Sequence, residues 1–328
     1  STQLRTLFPY TTLFRSPLAL HCNHCGEVFP SARFPEAHKD VVGGREYPYY
    51  LSPAGLRYYF SGVARGHRLM RAVEIFHSHL PIAWLLTGEA RYAEPVAAAL
   101  RQMGRVYGGW PMLHDAVNAP SGAGVRAEVR QYDFPEATFA YRTRLWQWAE
   151  AVLLKHALMA YDAVKDASLF TRDDVELIRD GYVREALEGF VVNKLLFMHN
   201  RFHNSFGDYL SSMVLAGRLF GTHLRVRDLC GGRFVLSGPD LIHEALDGAA
   251  GIRQFLENAY GSDGMYFENT YSYHVHALKV VLPGMLALRG YSDPVGYRPS
   301  PWLQPTPSPG ALNLRASLGR YITALRGF

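Results

Sequence analysis

Apolar side chains recur at three- and four-residue spacing from Arg65 to Leu86 and again from Ala90 to Tyr107, and each run predicts an amphipathic helix. The second run stops at Gly108-Gly109, a helix-ending pair. From Gly108 to Phe134 the rhythm lapses. Pro111, Pro120, Gly122 and Gly124 predict a long loop there, and such loops in compact domains are commonly functional. Pro135-Glu136 then opens a predicted helix to Val164. Thr171-Arg172-Asp173-Asp174 supplies an N-cap and first-turn acids for another, ending at Leu196. Further helices are expected over Ser205–Phe220, Leu241–Tyr260 and Tyr271–Arg289, with Gly221 and Gly290 as stops. A Pro-rich connection from Pro294 to Pro309 leads to a last helix at the chain end.

Strand signals are few, so the expected fold class is all-α, built of successive antiparallel helix hairpins. Periodicity leaves open whether the hairpins close into a ring. Residues 17–53 are rich in Pro, Gly, Tyr and His without a helical period and read as an irregular N-terminal cap, with the helical domain over 54–328. Residues Thr6 to Ser16 resemble the translation of a sequencing-adapter oligonucleotide, so natural sequence is expected to begin near Pro17. This opening segment has no continuous apolar core of the kind a signal peptide needs. The end at Gly327-Phe328 carries no terminal cap, and natural sequence is expected to continue beyond it.

The apolar fraction, 48% of 328 residues, suffices for one large helical core or two smaller ones. No apolar run approaches the roughly 20 residues that span a bilayer. Setting aside residues 1–16 removes two arginines and no acids, which takes the formal charge from +5 to +3. That mild excess is compatible with a polyanionic ligand. The absence of a Lys/Arg stripe, a recognition-helix pattern or an RNA-binding signature argues against nucleic acid. Abundant Tyr and a preponderance of Arg over Lys suit stacking on sugar rings and paired hydrogen bonds to carboxylates, and equally suit ordinary cores.

Cys22 and Cys25 lie in His21-Cys22-Asn23-His24-Cys25-Gly26, which resembles one knuckle of a zinc ribbon. A structural zinc takes four ligands, and no second Cys-x-x-Cys follows. The pair therefore reads as two metal ligands completed by His21, His24 or a distant His, as a disulfide, or as two free thiols in a tight turn. Cys230, before Gly231-Gly232, reads as a loop or packing residue.

Two segments concentrate chemistry. His199, Asn200, His203 and Asn204 place two imidazoles and two carboxamides in six positions, at a predicted corner before the helix that starts near Ser205. Any one of them is explained by capping or backbone bonding; together they suit donation to a ligand carboxylate. In the second segment, Ser262-Asp263-Gly264 predicts a turn, Tyr266-Phe267-Glu268 a short extended stretch, and Thr270 the cap of a helix from Tyr271. His276 is three positions beyond Tyr273 and shares its face. Either this is an aromatic first turn packed on its neighbours, or Tyr273 is a proton-transfer phenol with a pKa lowered by adjacent groups. Glu268 either orients His203 or an Arg, or satisfies a local backbone donor.

Phe202-His203-Asn204-Ser205, and Asp263-Gly264-x-Tyr266-Phe267-Glu268 followed by Ser272-Tyr273-His274, resemble the heparinase II/III and alginate lyase superfamily of polysaccharide lyases. The Cys-x-x-Cys-Gly with Phe29-Pro30 and the Arg144-Leu145-x-x-Trp148 segment are similar to pieces of such proteins. The resemblance implies an (α/α) toroid, incomplete here and without the family's following β-sandwich. It implies β-elimination at a 4-linked uronic acid of an acidic polysaccharide, with no cofactor required and a periplasmic or secreted location. Carried over by position, His203 and Asn204 neutralise the uronate carboxylate, Tyr273 is the acid/base, and Arg144 is a subsite contact. His199, Asn200, Glu268, His274, His276 and Trp148 complete the implied substrate-binding set. The family order is Asn-His where this chain has His-Asn, so the roles of His203 and Asn204 are interchangeable at this stage. The two segments also stand further apart than usual, with an expected insertion from Arg225 to Pro239.

Two other readings compete. A glycoside hydrolase would use paired carboxylates from Asp208, Asp263 and Glu268, which for inversion must stand roughly 6.5–9.5 Å apart. A non-catalytic module would bind acidic glycans and have no activity to lose.

Overall fold

The computed structural model describes residues 19–22, 24–42, 45–110, 113–114, 127–128, 140–141, 147–193, 204–227, 235–248, 251–261, 263–268 and 270–301. These residues are mainly helical, with four small antiparallel sheets. The chain divides into two compact units, Ser1–Glu74 and Ile75–Phe328.

In the first unit, β1 (Leu20–His21) pairs with β2 (Val28–Phe29), and β3 (His38–Val42), β4 (Arg45–Leu51) and β5 (Arg57–Tyr58) form a three-stranded sheet. The Pro- and Tyr-rich cap is thus a strand structure, because aromatic cross-strand pairs such as His38–Tyr49 and Tyr50–Tyr58 reward extended pairing. Phe29, Phe34, Tyr50 and Phe60 close on one another beside the sheet. Glu36 accepts from the Ser61 backbone N–H at 3.0 Å, which satisfies a first-turn donor of helix α1 (Phe60–His77).

In the second unit, α2 (Leu80–Thr87) and α3 (Ala90–Val106) precede three strand fragments, β6 (Leu113–His114), β7 (Ala127–Glu128) and β8 (Ala140–Tyr141). β6 pairs with both others, so Ala140 and Tyr141 are extended where a helix from Pro135 was expected. Tyr141 is a residue type that favours extended backbone, and the described helix α4 spans Gln147–Val164. The Thr171 cap forms as expected, in a reciprocal box with Asp174. It opens α5 (Arg172–Ile178), which passes through a π-turn at Arg179–Arg184 into α6 (Glu185–Asn193).

Next come α7 (Phe206–Phe220), a hairpin of β9 (Arg225–Arg227) and β10 (Val235–Ser237), α8 (Gly238–Asp247), α9 (Ile252–Asn258) and α10 (Tyr271–Ala287). This hairpin lies within Arg225 to Pro239, the stretch expected to be an insertion. The single helix expected over Leu241–Tyr260 is two, because the backbone turns extended at Gly248 and Gly251. The last predicted helix lies outside the described residues. Strands therefore accompany the helices, and the all-α expectation holds only in its coarser form, a mainly helical chain.

Every residue of α7 from Phe206 to Gly217 is buried. Its neighbours are α4, α8 and α10. Contacts fix the senses: Asp208 meets Lys155 while Ser212 meets Ala151, so α4 and α7 run antiparallel. Gly207 lies against Val280 and Val281 while Ser211 lies against Gly284, so α7 and α10 run parallel. A Cβ on Gly207 would stand 2.6 Å from a methyl of Val281, which is why the two helices can approach there.

Pro283 interrupts α10, and a proline inside a helix removes one donor from the ladder. Ser211 bridges the break. Its hydroxyl donates to the Val280 carbonyl at 2.6 Å and accepts the Gly284 N–H at 3.1 Å. Ser211→Ala would leave both groups buried without that partner, and a cost of about 1–3 kcal/mol in the urea unfolding free energy is expected. An unchanged unfolding midpoint would show that α10 closes its own ladder.

Next to the α4–α7 contact, the rings of His77 and His156 stack with centroids 3.4 Å apart. The His156 Nδ1 lies 2.7 Å from the Val152 carbonyl. Burial first, then the charges of Lys155 and His77, push this imidazole from 6.5 down to about 4, against the pull of that carbonyl. The unfolded chain thus takes up a proton that the folded chain refuses between those values. Stability present above pH 6.5 is lost as the pH falls toward 4. Unfolding midpoints should fall over that interval, and His156→Gln should flatten the fall; identical profiles would assign the decline to other groups.

Candidate functional site

Asn204 is the last residue before the cap of α7, and it is 7% exposed. Both ends of its carboxamide are held. Its Nδ2 donates to Glu268 Oε2 at 2.8 Å, and its Oδ1 accepts from the Ser205 hydroxyl at 3.0 Å. Ser205 takes the N-cap position, yet its side chain serves Asn204 and makes no cap bond to the helix. The first-turn N–H groups of a helix favour negative charge, so this end of α7 is electrically suited to an anion.

Glu268 is delivered by a tight reversal between α9 and α10. Tyr260 bridges Tyr266 in antiparallel fashion, Gly261 N–H bonds the Met265 carbonyl at 2.8 Å, and Phe267 N–H bonds the Ala259 carbonyl at 2.9 Å. Asp263 Oδ1 accepts from Met265 N–H at 2.9 Å, and Gly264 takes φ of 81°, the left-handed turn position that Asp-Gly predicts. Thr270 caps α10 by accepting from Tyr273 N–H at 3.3 Å, as its position suggested. The parallel packing of α7 and α10 joins these pieces, since Glu268 and the first turn of α10 belong to one short segment.

Tyr273 lies in that first turn and is 46% exposed, so its ring is open to solvent on a helix that buries one face, through Ala277, Val280, Val281, Gly284 and Met285. His276, on the same face, is close enough to Asp208 for its charge to act on that carboxyl. Asp208 is 1% exposed and ion-paired with Lys155. Burial raises the Asp208 carboxyl above its ordinary range, opposed by Lys155 and then by His276. Sequence reasoning did not single out Lys155. Its partner lies 53 residues away, and a lysine in a helix carries no local mark of a buried charge.

His274 requires a correction. Its ring is fully buried, with Nδ1 accepting the Tyr266 N–H at 3.3 Å, and burial lowers its pKa. It therefore ties α10 to the preceding reversal and offers no surface to a substrate. Its neutral tautomer carries the proton on Nε2, a buried atom without a hydrogen-bond partner among the described residues. Arg144, His199, Asn200 and His203 lie outside the described residues, and Trp148 is described only as backbone of α4. The structure thus brings together Asn204 and Glu268, sets Tyr273 and His276 on the neighbouring helix face, and withdraws His274.

Cys22 and Cys25 sit at the end of the β1–β2 hairpin, half-buried and exposed respectively, and both are free thiols. Among the described residues no group of three or more His, Cys, Asp or Glu is arranged to hold a metal ion. Among the described residues no helix is long and apolar enough to cross a membrane.

Removing the Glu268 carboxylate leaves the buried Asn204 amide without its acceptor. Glu268→Ala should lower stability by about 1–3 kcal/mol, whereas Glu268→Gln, whose Oε1 still accepts, should retain most of it. Equal losses in the two variants, measured by urea unfolding, would show that the contact is not a hydrogen bond that matters. No family model matches the chain, and no curated protein matches it.

Proposed function

We propose that this chain carries the helical catalytic region of a polysaccharide lyase acting on a uronic-acid-containing acidic glycan. The observation that carries the reading is the clamped carboxamide of Asn204 at the start of α7, beside a helix whose first turn exposes Tyr273. An oriented donor at a helix N-terminus suits a carboxylate, and an exposed phenol suits transfer of a proton beside it. The resemblance to the heparinase II/III and alginate lyase superfamily supports the same roles, and with it an (α/α) toroid for the helix hairpins and a periplasmic or secreted location.

In this mechanism Asn204, with His203, donates hydrogen bonds to the uronate carboxylate. That draws charge from C5 and stabilises the enolate-like species formed when its proton leaves. Preorganised donors of this kind are worth several kcal/mol in a water-excluded site. Tyr273 as phenolate takes the C5 proton, the C4–O4 bond breaks as the C4=C5 double bond forms, and the phenol returns its proton to the departing oxygen. The elimination draws on no redox cofactor. Glu268 fixes which end of the Asn204 amide faces the substrate, because a carboxylate partner accepts only from Nδ2.

Paired-carboxylate hydrolysis receives less support. Asp208 is buried against Lys155, and Asp263 is engaged in its own turn, so neither stands free opposite Glu268. Incubation with alginate, heparan sulfate, hyaluronan, chondroitin and pectate should give ultraviolet absorbance from an unsaturated uronate on one of them. Tyr273→Phe should lower that rate at least about a hundredfold while leaving the unfolding midpoint in place. Reducing ends formed without absorbance would establish hydrolysis instead, and full turnover by the Phe variant would move the proton transfer to another group.

A further inference from the structure

The three-stranded sheet of the first unit has two unlike faces. Tyr49 and Tyr50 are neighbours in β4 and so point to opposite sides. On the Tyr50 side the unit packs: Tyr50 meets Phe34 and Phe60, and Tyr58 meets Phe60. On the Tyr49 side, contacts gather residues of all three strands into one cluster. The His38 ring of β3 stacks on Tyr49 with centroids 5.4 Å apart, and Tyr59 lies 5.4 Å from the same ring. The guanidinium of Arg57, in β5, lies over Tyr49 at 5.1 Å. Its Nη1 donates to both oxygens of Asp40 at 2.9 Å, and the Tyr59 hydroxyl donates to Asp40 Oδ2.

These contacts fix both the position and the plane of the Arg57 head. Both bonds to Asp40 leave from Nη1, so Asp40 does not use the Nε–Nη2 edge. That edge carries two parallel N–H donors at the spacing of a carboxylate, and it points away from Nη1 and therefore away from Asp40. The Arg57 side chain is 54% exposed, so the fork is held in place and open to solvent. Beside it, His38 is exposed and Tyr49 half-buried.

We propose that this sheet face is a second glycan-binding site, in which the Nε–Nη2 edge of Arg57 takes a uronate carboxylate and the Tyr49 and His38 rings flank the sugar. The choice of a sugar rests on the lyase reading; the fork itself asks only for a carboxylate. Charge favours the encounter, since the chain carries a formal charge of +5 and Asp40 already accepts from Arg57 and Tyr59. Aromatic rings beside a charged fork suit a ligand with one apolar face and one acidic group. A single exposed ion pair is weak, but a polymer presents many uronates and multiplies it by rebinding. The site is thus suited to holding a polysaccharide and takes no part in the elimination.

Electrophoresis of the native full chain through gels containing alginate or pectate tests this, because both polymers carry carboxylates and no sulfate. Dextran is the neutral comparison, and Tyr273→Phe is the common background, so that the matrix is not consumed. At least one acidic polymer should slow the chain, and dextran should not. Arg57→Gln should weaken that retardation at least about threefold, as expected for loss of a partly exposed charge pair. Arg57→Lys keeps a charge beside Asp40, and so the fold, but lacks the paired edge; it should recover only a small part. Retardation equal in all three proteins would overturn the proposal, as would full recovery by lysine, equal slowing by dextran, or no slowing at all. Turnover is read separately. Absence of ultraviolet absorbance with Arg57-dependent retardation would sink the lyase reading alone, and elimination with retardation indifferent to Arg57 would sink this site alone.

Discussion

The enclosure of α7 on every side from Phe206 to Gly217 is the constraint from which the rest of the second unit follows. A stretch of helix with no solvent face must satisfy each polar group it carries inside the protein, since an unpartnered buried donor or acceptor costs about 1–3 kcal/mol. Ser211 and Ser212 do so with the broken ladder of α10 and the Ala151 carbonyl, and Asp208 pairs through Oδ1 with Lys155 while its Oδ2 has no hydrogen-bond partner among the described residues. Those three bonds set the height of α4 and α10 against α7. The Ser211 bridge also makes Pro283 tolerable, because the serine hydroxyl stands in the gap that the proline opens.

That same registration places the candidate site. With α10 running parallel to α7, the reversal before α10 arrives beside the residue before α7, and Glu268 meets Asn204. The polar groups then grade from buried to exposed along a short path. Asp208 and Lys155 are sealed in the helix core, Asn204 lies at its rim, and Tyr273 stands in solvent. A carboxylate ligand at Asn204 would meet donor groups and a helix N-terminus at the rim, with the core charges already neutralised by one another. Such a division between a fixed interior pair and an oriented outer amide suits a site that must hold its donors in place before the substrate arrives.

Local signals carried well wherever the deciding interactions were local. The caps at Thr171 and Thr270, the Asp263-Gly264 turn and the helix following Ser205 were all legible, because each depends on residues within three or four positions. The start of α4 was misplaced, since Ala140 and Tyr141 pair with β6, a segment far enough away in the chain to leave no trace in the helical period. The cap of residues 17–53 was read as irregular because its strands are short and held by aromatic contacts across them.

The candidate residues divide along the same line. Asn204, Glu268 and Tyr273 were picked from composition and spacing, and that much the sequence determined alone: mainly helical segments, their caps, and which stretches hold imidazoles, amides and phenols. Only the tertiary structure decided that Glu268 takes Asn204 as its partner, that His274 turns inward to Tyr266, and that Lys155 lies buried against Asp208. Helical pitch puts Tyr273 and His274 about 100° apart, so one faces solvent when the other faces the core. Which of the two goes inward depends on how α10 packs against α7, 69 residues away in the chain at the Ser211–Val280 bond, and no local pattern encodes that.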